Sequence, residues 1–215
     1  MKHFIAVIPM QNPSALKRGV YQSSDTENAL ITSDLAVSFP ILIPMANAAE
    51  AGETVRLTTI LLPEHPNTKV NYARFQEELN EIAANKGFHV ELNEIPLAYS
   101  ETAGDHMKLF EKLMDALNDD ELLYVCLTYG SKPIPMVMQT ALNFAYRLKK
   151  NTSVEAVVYG QMNFASGQMV LYEVSPLFYL NSVVNTVSEM NAKDPVGYIK
   201  MMLELTSNSQ TDETR

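Results

Sequence analysis

The stretch from Leu122 to Lys150 constrains the fold more than any other part of this chain. It begins with an apolar run, Leu122 to Leu127, which is rich enough in Leu, Val and Tyr to form a buried strand. A sharp polar turn follows at 128–132, and Pro133 and Pro135 suit the first turn of a helix, where a missing N–H is tolerated. One face of that helix is apolar and consists of Ile134, Val137, Met138, Ala141, Ala145 and Leu148. The pattern predicts a strand that leads through a polar turn into a helix.

The turn has the residue types of an anion-binding site, namely Thr128, Tyr129, Gly130, Ser131 and Lys132. Free N–H groups and the helix dipole favour anions at the amino end of a helix, phosphate above all. In open α/β sheets, ligands bind beyond the carboxyl ends of the strands. The alternative is a purely structural turn, since most such junctions bind nothing. Neither the P-loop motif G-x-x-x-x-G-K-S/T nor the dinucleotide motif G-x-G-x-x-G is present.

Strand and helix patterns alternate along the rest of the chain. Apolar runs predict strands at 4–8, 55–62, 88–95, 122–127 and 154–159, with amphipathic helices at 70–85 and after 105. A further strand at 168–174 follows a short connection, which predicts antiparallel pairing. The prediction is an α/β, Rossmann-like, doubly wound and mostly parallel sheet with a C-terminal β-hairpin and terminal helices.

Two segments near the start of the chain raise alternatives. The loop of Pro9, Met10, Gln11 and Asn12 follows the first strand, so the carboxyl-end rule places it beside the turn at 128–132. Its amides suit a base or a phosphate, but plain turn residues have the same composition. The segment from 14 to 33 is long and polar, and its cationic and aromatic residues fit either a nucleotide site or a solvated loop. Those residues are Lys17, Arg18 and Tyr21.

The stretch from Leu35 to Ala49 predicts a buried helix that starts near Leu35. Ser33 or Asp34 can cap this helix, and Pro40 and Pro44 should kink it. It falls short of the roughly 20 residues of a membrane span. No secretory signal peptide is visible. The single cysteine, Cys126, is predicted to be a core thiol, and we expect a reducing, cytoplasmic environment. We therefore expect no membrane partner.

The net charge of −9 argues against a general DNA- or RNA-binding surface but not against a small anionic ligand in a cleft. The four histidines are scattered and no zinc, EF-hand or H-E-x-x-H ligand set is present, so we expect neither a metal site nor a cofactor.

The chain resembles a known family in its second half. The residues that carry the resemblance are the turn TYGSKPIP at 128–135, Tyr159-Gly160, and the strand end YEVSPLFYLN at 172–181. Together they resemble the CRISPR-associated Rossmann-fold (CARF) sensor domain, in its TM1812-like branch and its stand-alone or ring nuclease type. Cys126, Tyr129 and Ser131-Lys132 depart from the residues usual in that branch. The first half matches mainly by the order of its elements.

The resemblance implies a single CARF-like domain over 1–205, with terminal helices at 175–205 packing on it and a flexible tail at 206–215. It implies a cyclic oligoadenylate ligand, cyclic tetra-adenylate first and cyclic hexa-adenylate second, bound across a homodimer. The ligand-binding residues that it implies or that lie at the same strand ends are Pro9, Met10, Gln11, Asn12, Thr128, Tyr129, Gly130, Gln161 and Asn163.

Two functions follow from the resemblance, and both stay open. A metal-independent ring nuclease would use Lys132 as the catalytic cation and Ser131 as a hydroxyl or backbone donor, while a ribose 2′-OH attacks its own 3′ phosphorus. A non-catalytic receptor would bind the ring and regulate a separate effector, and Lys132 would then be a binding contact or a plain surface lysine. The nuclease is preferred because no effector motif, such as Arg-x(4–6)-His, is found in the sequence. A weaker third reading is a nucleotide-handling α/β enzyme of another kind.

Overall fold

Seven of the strands form one sheet in the computed structural model, which describes residues 1–98, 100, 102–163 and 165–209. Two others, β2 and β4, form a small separate ribbon. In chain order the strands are β1 Lys2–Val7, β2 Gly19–Val20, β3 Gln22–Ser23, β4 Ala36–Val37, β5 Thr54–Leu61, β6 His89–Pro96, β7 Leu122–Cys126, β8 Ser153–Met162 and β9 Met169–Glu173.

The strand order is β3-β9-β8-β7-β1-β5-β6, and every pairing is parallel except that of β8 with β9. The chain builds from β1 outward to β5 and β6, then returns to the other side of β1 and builds outward through β7 and β8. The order of building therefore reverses between β1 and β7, and such a switch point leaves a crevice at the carboxyl ends of the two strands. The predicted α/β, Rossmann-like, mostly parallel fold is confirmed, with β7 central and β6 at an edge.

The helices are α1 Leu42–Ala48, α2 Pro66–Lys86, α3 Ala103–Ala116, α4 Pro133–Leu148, α5 Ser175–Glu189 and α6 Pro195–Ser209. On one face of the sheet, Ile5 and Val125 meet Leu113 of α3 and Met138 of α4. On the other face, Phe4 and Ala6 belong to a core that contains residues of α1, α2 and the segment before α1. Both faces of the sheet are covered, which is why its strands have almost continuous apolar runs.

The helix predicted to start near Leu35 is wrong, because Ala36–Val37 is the extended strand β4 and α1 begins at Leu42. Pro40 disfavours helical geometry in the residue before it. The Ser38 N–H and hydroxyl donate to the buried Glu78 carboxylate at 2.7 and 2.6 Å. Glu78 itself is buried.

The segment 14–33 is a structured strap rather than a plain loop. Its β2 pairs antiparallel with β4, and its β3 adds a short parallel edge to β9. Leu16, Tyr21 and Ile31 are buried in the core. These two strands could not be predicted from the sequence, because each is only two residues long and shows no periodicity.

The apolar face predicted for α4 is wrong at Leu148, and α3 also leaves one apolar residue exposed. Met107 is 68% exposed and Leu148 is 72% exposed, whereas Leu109 and Leu142 are buried. Helix α3 begins at Ala103, slightly before the predicted start, and Thr102 caps it in a capping box with Asp105.

A buried polar network joins the amino ends of the central strands. His3 Nδ1 lies 2.9 Å from Glu121 Oε2, and Arg56 Nη1 donates to Glu121 Oε1 at 2.6 Å. The N–H of Asn118 donates to the same carboxylate at 3.0 Å. His3 and Glu121 are almost fully buried, so the Glu121 carboxylate depends on these partners.

The chain divides into two compact units, residues 1–175 and 176–215. The second consists of the body of α5 and of α6, which extends to Ser209 and so passes the helix end predicted near Leu205. The rest of the predicted tail, 210–215, lies outside the described residues. The single domain over 1–205 stays a prediction. None of the helices described is both long and apolar enough to cross a membrane.

Candidate functional site

A cavity of about 300 Å³ opens where the carboxyl ends of β7 and β8 meet the strap and the loop after β1. Its position is the crevice expected at the switch point of the sheet. Its lining consists of Gln11, Ala15, Leu16, Lys17, Tyr21, Thr128, Tyr129, Tyr159, Gly160, Gln161, Met162 and Met169. All of these residues belong to the unit 1–175.

One wall of the cavity is held by Thr128. Its hydroxyl accepts the backbone N–H of Gly160 at 2.8 Å, and its oxygen lies 3.1 Å from the Cys126 sulfur. Cys126 is buried and burial raises the pKa of its thiol, so the prediction of a core thiol is confirmed. Gly160 has no room for a side chain, because a Cβ would lie 2.5 Å from Pro40 Cγ.

The turn before α4 is built around Gly130, whose φ is 105° and whose missing Cβ would lie 3.3 Å from Val7. Ser131 Oγ is shielded from solvent and has no hydrogen-bond partner within the described residues. Lys132 is exposed at the start of α4, with Pro133 at the first helical position. Thr128 and Tyr129 line the cavity, whereas Gly130, Ser131 and Lys132 do not.

Two asparagines of α2 hold the loop after β1. Asn71 Nδ2 donates to the carbonyls of Pro9 and Gln11 at 2.8 and 3.0 Å, and Asn67 Nδ2 donates to that of Met10 at 3.0 Å. Three successive carbonyls are thereby fixed, and Gln11 lines the cavity. Pro9 and Met10 are not part of the lining.

The Asn12 Oδ1 atom accepts the N–H and the hydroxyl of Ser14 at 3.0 and 2.9 Å. Asn163 Oδ1 likewise accepts the N–H groups of Ala165 and Ser166 at 2.9 and 3.2 Å. These are the turn contacts that asparagine typically makes, and neither asparagine lines the cavity.

A pair of tyrosines forms the inner wall. The Tyr129 hydroxyl donates to the Ser38 carbonyl at 2.7 Å and is hydrogen-bonded to Tyr21. Burial removes water from around both phenols, and this desolvation is the main reason that their pKa values are raised. Both hydroxyls are therefore neutral across the physiological range and can serve as hydrogen-bonding groups rather than as general bases.

The outer wall comes from β8. Tyr159 is exposed and its ring centroid lies 6.5 Å from that of Tyr172. The Tyr172 hydroxyl donates to Gln161 Oε1 at 3.2 Å, which orients the Gln161 amide. An exposed ring beside an oriented amide can stack on a planar base and bond to its edge.

The strap supplies the charge of the cavity. Lys17 lines it, and among the described lining residues there is no Asp or Glu. This is a local reversal of the net charge of −9. The sequence placed Lys17 and Tyr21 in a long segment that fits either a nucleotide site or a solvated loop, and Tyr159 entered only as part of a resemblance. The signal for Tyr159 was available, because it lies at the carboxyl end of a predicted strand.

No group of three or more His, Cys, Asp or Glu side chains that could hold a metal ion occurs among the described residues. The buried pair of His3 and Glu121 lies instead at the amino ends of the strands.

The sequence matches no family model. Over 102 residues it is 24% identical to the CRISPR-associated protein MJ1674 of Methanocaldococcus jannaschii. That match covers 46% of this chain and 16% of the archaeal protein, so the chain is distantly similar to a small part of its relative.

Proposed function

We propose that this chain acts in a CRISPR system by binding a cyclic oligoadenylate in the cavity beside β7 and β8. The observation that carries the proposal is the lining: Lys17, three tyrosines and two glutamine amides, with no carboxylate among its described residues, at the switch point of a Rossmann-like sheet. Phosphate needs the cation, and adenine needs aromatic and amide groups. The distant similarity to a CRISPR-associated protein supports a role in a CRISPR system.

The size of the cavity bears on how the ring binds. About 300 Å³ lies at the lower end of the range for small-molecule sites, roughly 300–1,000 Å³. It suits one nucleotide and its phosphate rather than a whole ring. We therefore propose a homodimer in which two cavities share one ring around a two-fold axis. A ring of even size fits that symmetry, with cyclic tetra-adenylate preferred to cyclic hexa-adenylate.

The proposed reaction is cleavage of the bound ring by internal transesterification. A ribose 2′-oxygen forms a bond to the adjacent phosphorus, the bond from phosphorus to the 5′-oxygen breaks, and the proton of the 2′-hydroxyl ends on the departing 5′-oxygen. The products carry a 2′,3′-cyclic phosphate and a 5′-hydroxyl, and no water is consumed. Lys132 would stabilise the developing phosphoryl charge and Ser131 would donate to it.

The second candidate is a receptor that binds the ring intact and regulates another protein. It is favoured by one observation, the position of Lys132, which is exposed and does not line the cavity. A receptor needs only the residues that do line it.

One experiment separates the two. The protein is incubated in EDTA with cyclic tetra-adenylate and, separately, cyclic hexa-adenylate, and the products are resolved by chromatography. Linear products ending in a 2′,3′-cyclic phosphate, lost in Lys132→Ala and kept in Lys150→Ala, establish the nuclease. Lys150 is the matched control because it is an exposed lysine beyond the far end of α4. A ring that co-elutes intact with the protein establishes the receptor, and a ring that neither binds nor reacts overturns the proposal.

A further inference from the structure

We infer that Lys17, rather than Lys132, is the residue that binds a phosphate of the ligand inside the cavity. The inference rests on the proposed function and adds a residue to it. Lys17 contributes to the lining, and it forms no ion pair or hydrogen bond within the described part of the chain. A cation that faces a cavity without a counter-ion has its charge available to an anionic ligand.

The backbone on both sides of Lys17 is fixed. The Leu16 side chain is buried, and its carbonyl accepts a hydrogen bond from Arg74 Nη1 at 2.7 Å. Further along the strap, Tyr21 is buried and hydrogen-bonded to Tyr129. Lys17 is therefore presented from an ordered segment that loses little conformational entropy when the ligand binds.

The neighbouring cation points elsewhere. Arg18 Nε donates to the Ala36 carbonyl at 2.8 Å, and its Nη2 lies 2.8 Å from Glu81 Oε2. Both of these contacts lead away from the cavity, toward β4 and α2. Arg18 is thus occupied in holding the strap, and it does not line the cavity.

Three basic residues therefore have three separate roles. Lys17 binds the ligand, Arg18 holds the strap, and Lys132, which lies outside the lining, is the cation that the proposed cleavage would use. A hydrogen bond from a lysine ammonium to a phosphate increases the affinity by roughly 10- to 100-fold. Loss of one phosphate contact also lowers the number of counterions released on binding by about one, which makes the salt dependence of the affinity shallower.

The test is the affinity for a cyclic tetra-adenylate whose riboses lack the attacking 2′-hydroxyl, so that the ring stays intact, measured by titration calorimetry at several salt concentrations. The proteins are wild type, Lys17→Ala, Lys17→Arg, Arg18→Ala and Lys132→Ala, each first checked for an unchanged thermal transition or measured well below it. We expect Lys17→Ala to bind about 10- to 100-fold more weakly with a shallower salt dependence. Lys17→Arg is expected to restore most of the affinity, and Lys132→Ala is expected to bind within about twofold of wild type.

The outcomes are distinguishable. Wild-type binding that Lys17→Ala retains with an unchanged salt dependence overturns the inference but leaves the proposed function standing. An equal loss in Lys17→Ala and Arg18→Ala also overturns it, because the effect would then belong to the strap. A wild-type protein that binds no ring overturns the proposed function and this inference with it.

Discussion

The Thr128 hydroxyl accepts the backbone N–H of Gly160 at 2.8 Å. A side chain just after β7 thus takes the place of a backbone carbonyl as the hydrogen-bond partner of β8. The bond lies where parallel pairing of these two strands stops, after Cys126 and Val158. It makes the polar turn and the second wall of the cavity one connected piece. A threonine in the turn thus has a structural role as well as a place in the lining.

Replacing Thr128 with valine keeps the shape and removes the acceptor, which leaves the Gly160 N–H without its partner. We expect Thr128→Val to lower the free energy of unfolding by about 1–3 kcal/mol, measured by urea denaturation. Thr128→Ser keeps the hydroxyl and is expected to lose less than half as much. A loss in Thr128→Ser with none in Thr128→Val would mean that the methyl group, not the hydrogen bond, matters.

Gly160→Ala tests the close approach of the strap to β8. The new Cβ would lie 2.5 Å from Pro40 Cγ and 3.0 Å from Tyr21 Cε1, so the segment before α1 must move. We expect a loss of about 1–3 kcal/mol in the free energy of unfolding and weaker ligand binding. Gly104→Ala is the matched control, because its Cβ would meet only Thr102 Oγ1 at 3.7 Å in a helix. That variant is expected to be neutral or slightly stabilising.

Glu121 makes the stability of the protein depend on pH. Burial alone raises the pKa of this carboxyl, but the contacts from His3 and Asn118 outweigh burial and hold the pKa below its ordinary value of 4.5. The unfolded chain therefore binds a proton more readily than the folded one. The stabilisation is complete above the unfolded pKa and is lost as the pH falls through the folded pKa.

We expect Glu121→Gln to lower the free energy of unfolding at neutral pH by about 3–5 kcal/mol, because Arg56 loses its buried partner. It should also flatten the decline in stability between about pH 5 and pH 3. Denaturation with urea across that range measures both effects. Glu155→Gln, at an exposed glutamate on β8, is the control and should change neither by more than about 0.5 kcal/mol.

Cys126 reports the opening of the central sheet, since it is the one cysteine of the chain. Burial raises the pKa of its thiol, so both access and thiolate formation require the protein to open. We expect a disulfide reagent at about pH 8 to react at least about 100-fold more slowly with the native protein than with the protein in urea. Thr128→Val should speed the native reaction. A native rate equal to the rate in urea would show that β7 is not protected.

The sequence was sufficient for the parallel sheet because its strands and helices carry strong patterns. The run Leu122–Leu127 is buried at the centre, and the polar alternation of β6 matches its place at an edge. The first-strand loop was correctly expected near Thr128 and Tyr129, because both follow parallel strands that pair directly.

Features that depend on distant partners could not be predicted. Glu78 looks like its exposed neighbour Glu77, but the N–H and hydroxyl of Ser38, forty positions away, donate to its buried carboxylate. The same limit applies to the cations of the site. Lys132 lies in a recognisable motif, whereas Lys17 reaches the cavity through a strap whose course is set by Arg74 and by pairing with β9.

That pairing of the strap has a consequence for how the protein forms. Gln22 and Gln168 are hydrogen-bonded at 2.7 Å across 146 positions of the chain. Contacts between such remote positions form late, because a long loop must close first. A ribosome must therefore release most of the chain before the strap can dock, and the cavity with Lys17 in its wall is among the last parts of the protein to be completed.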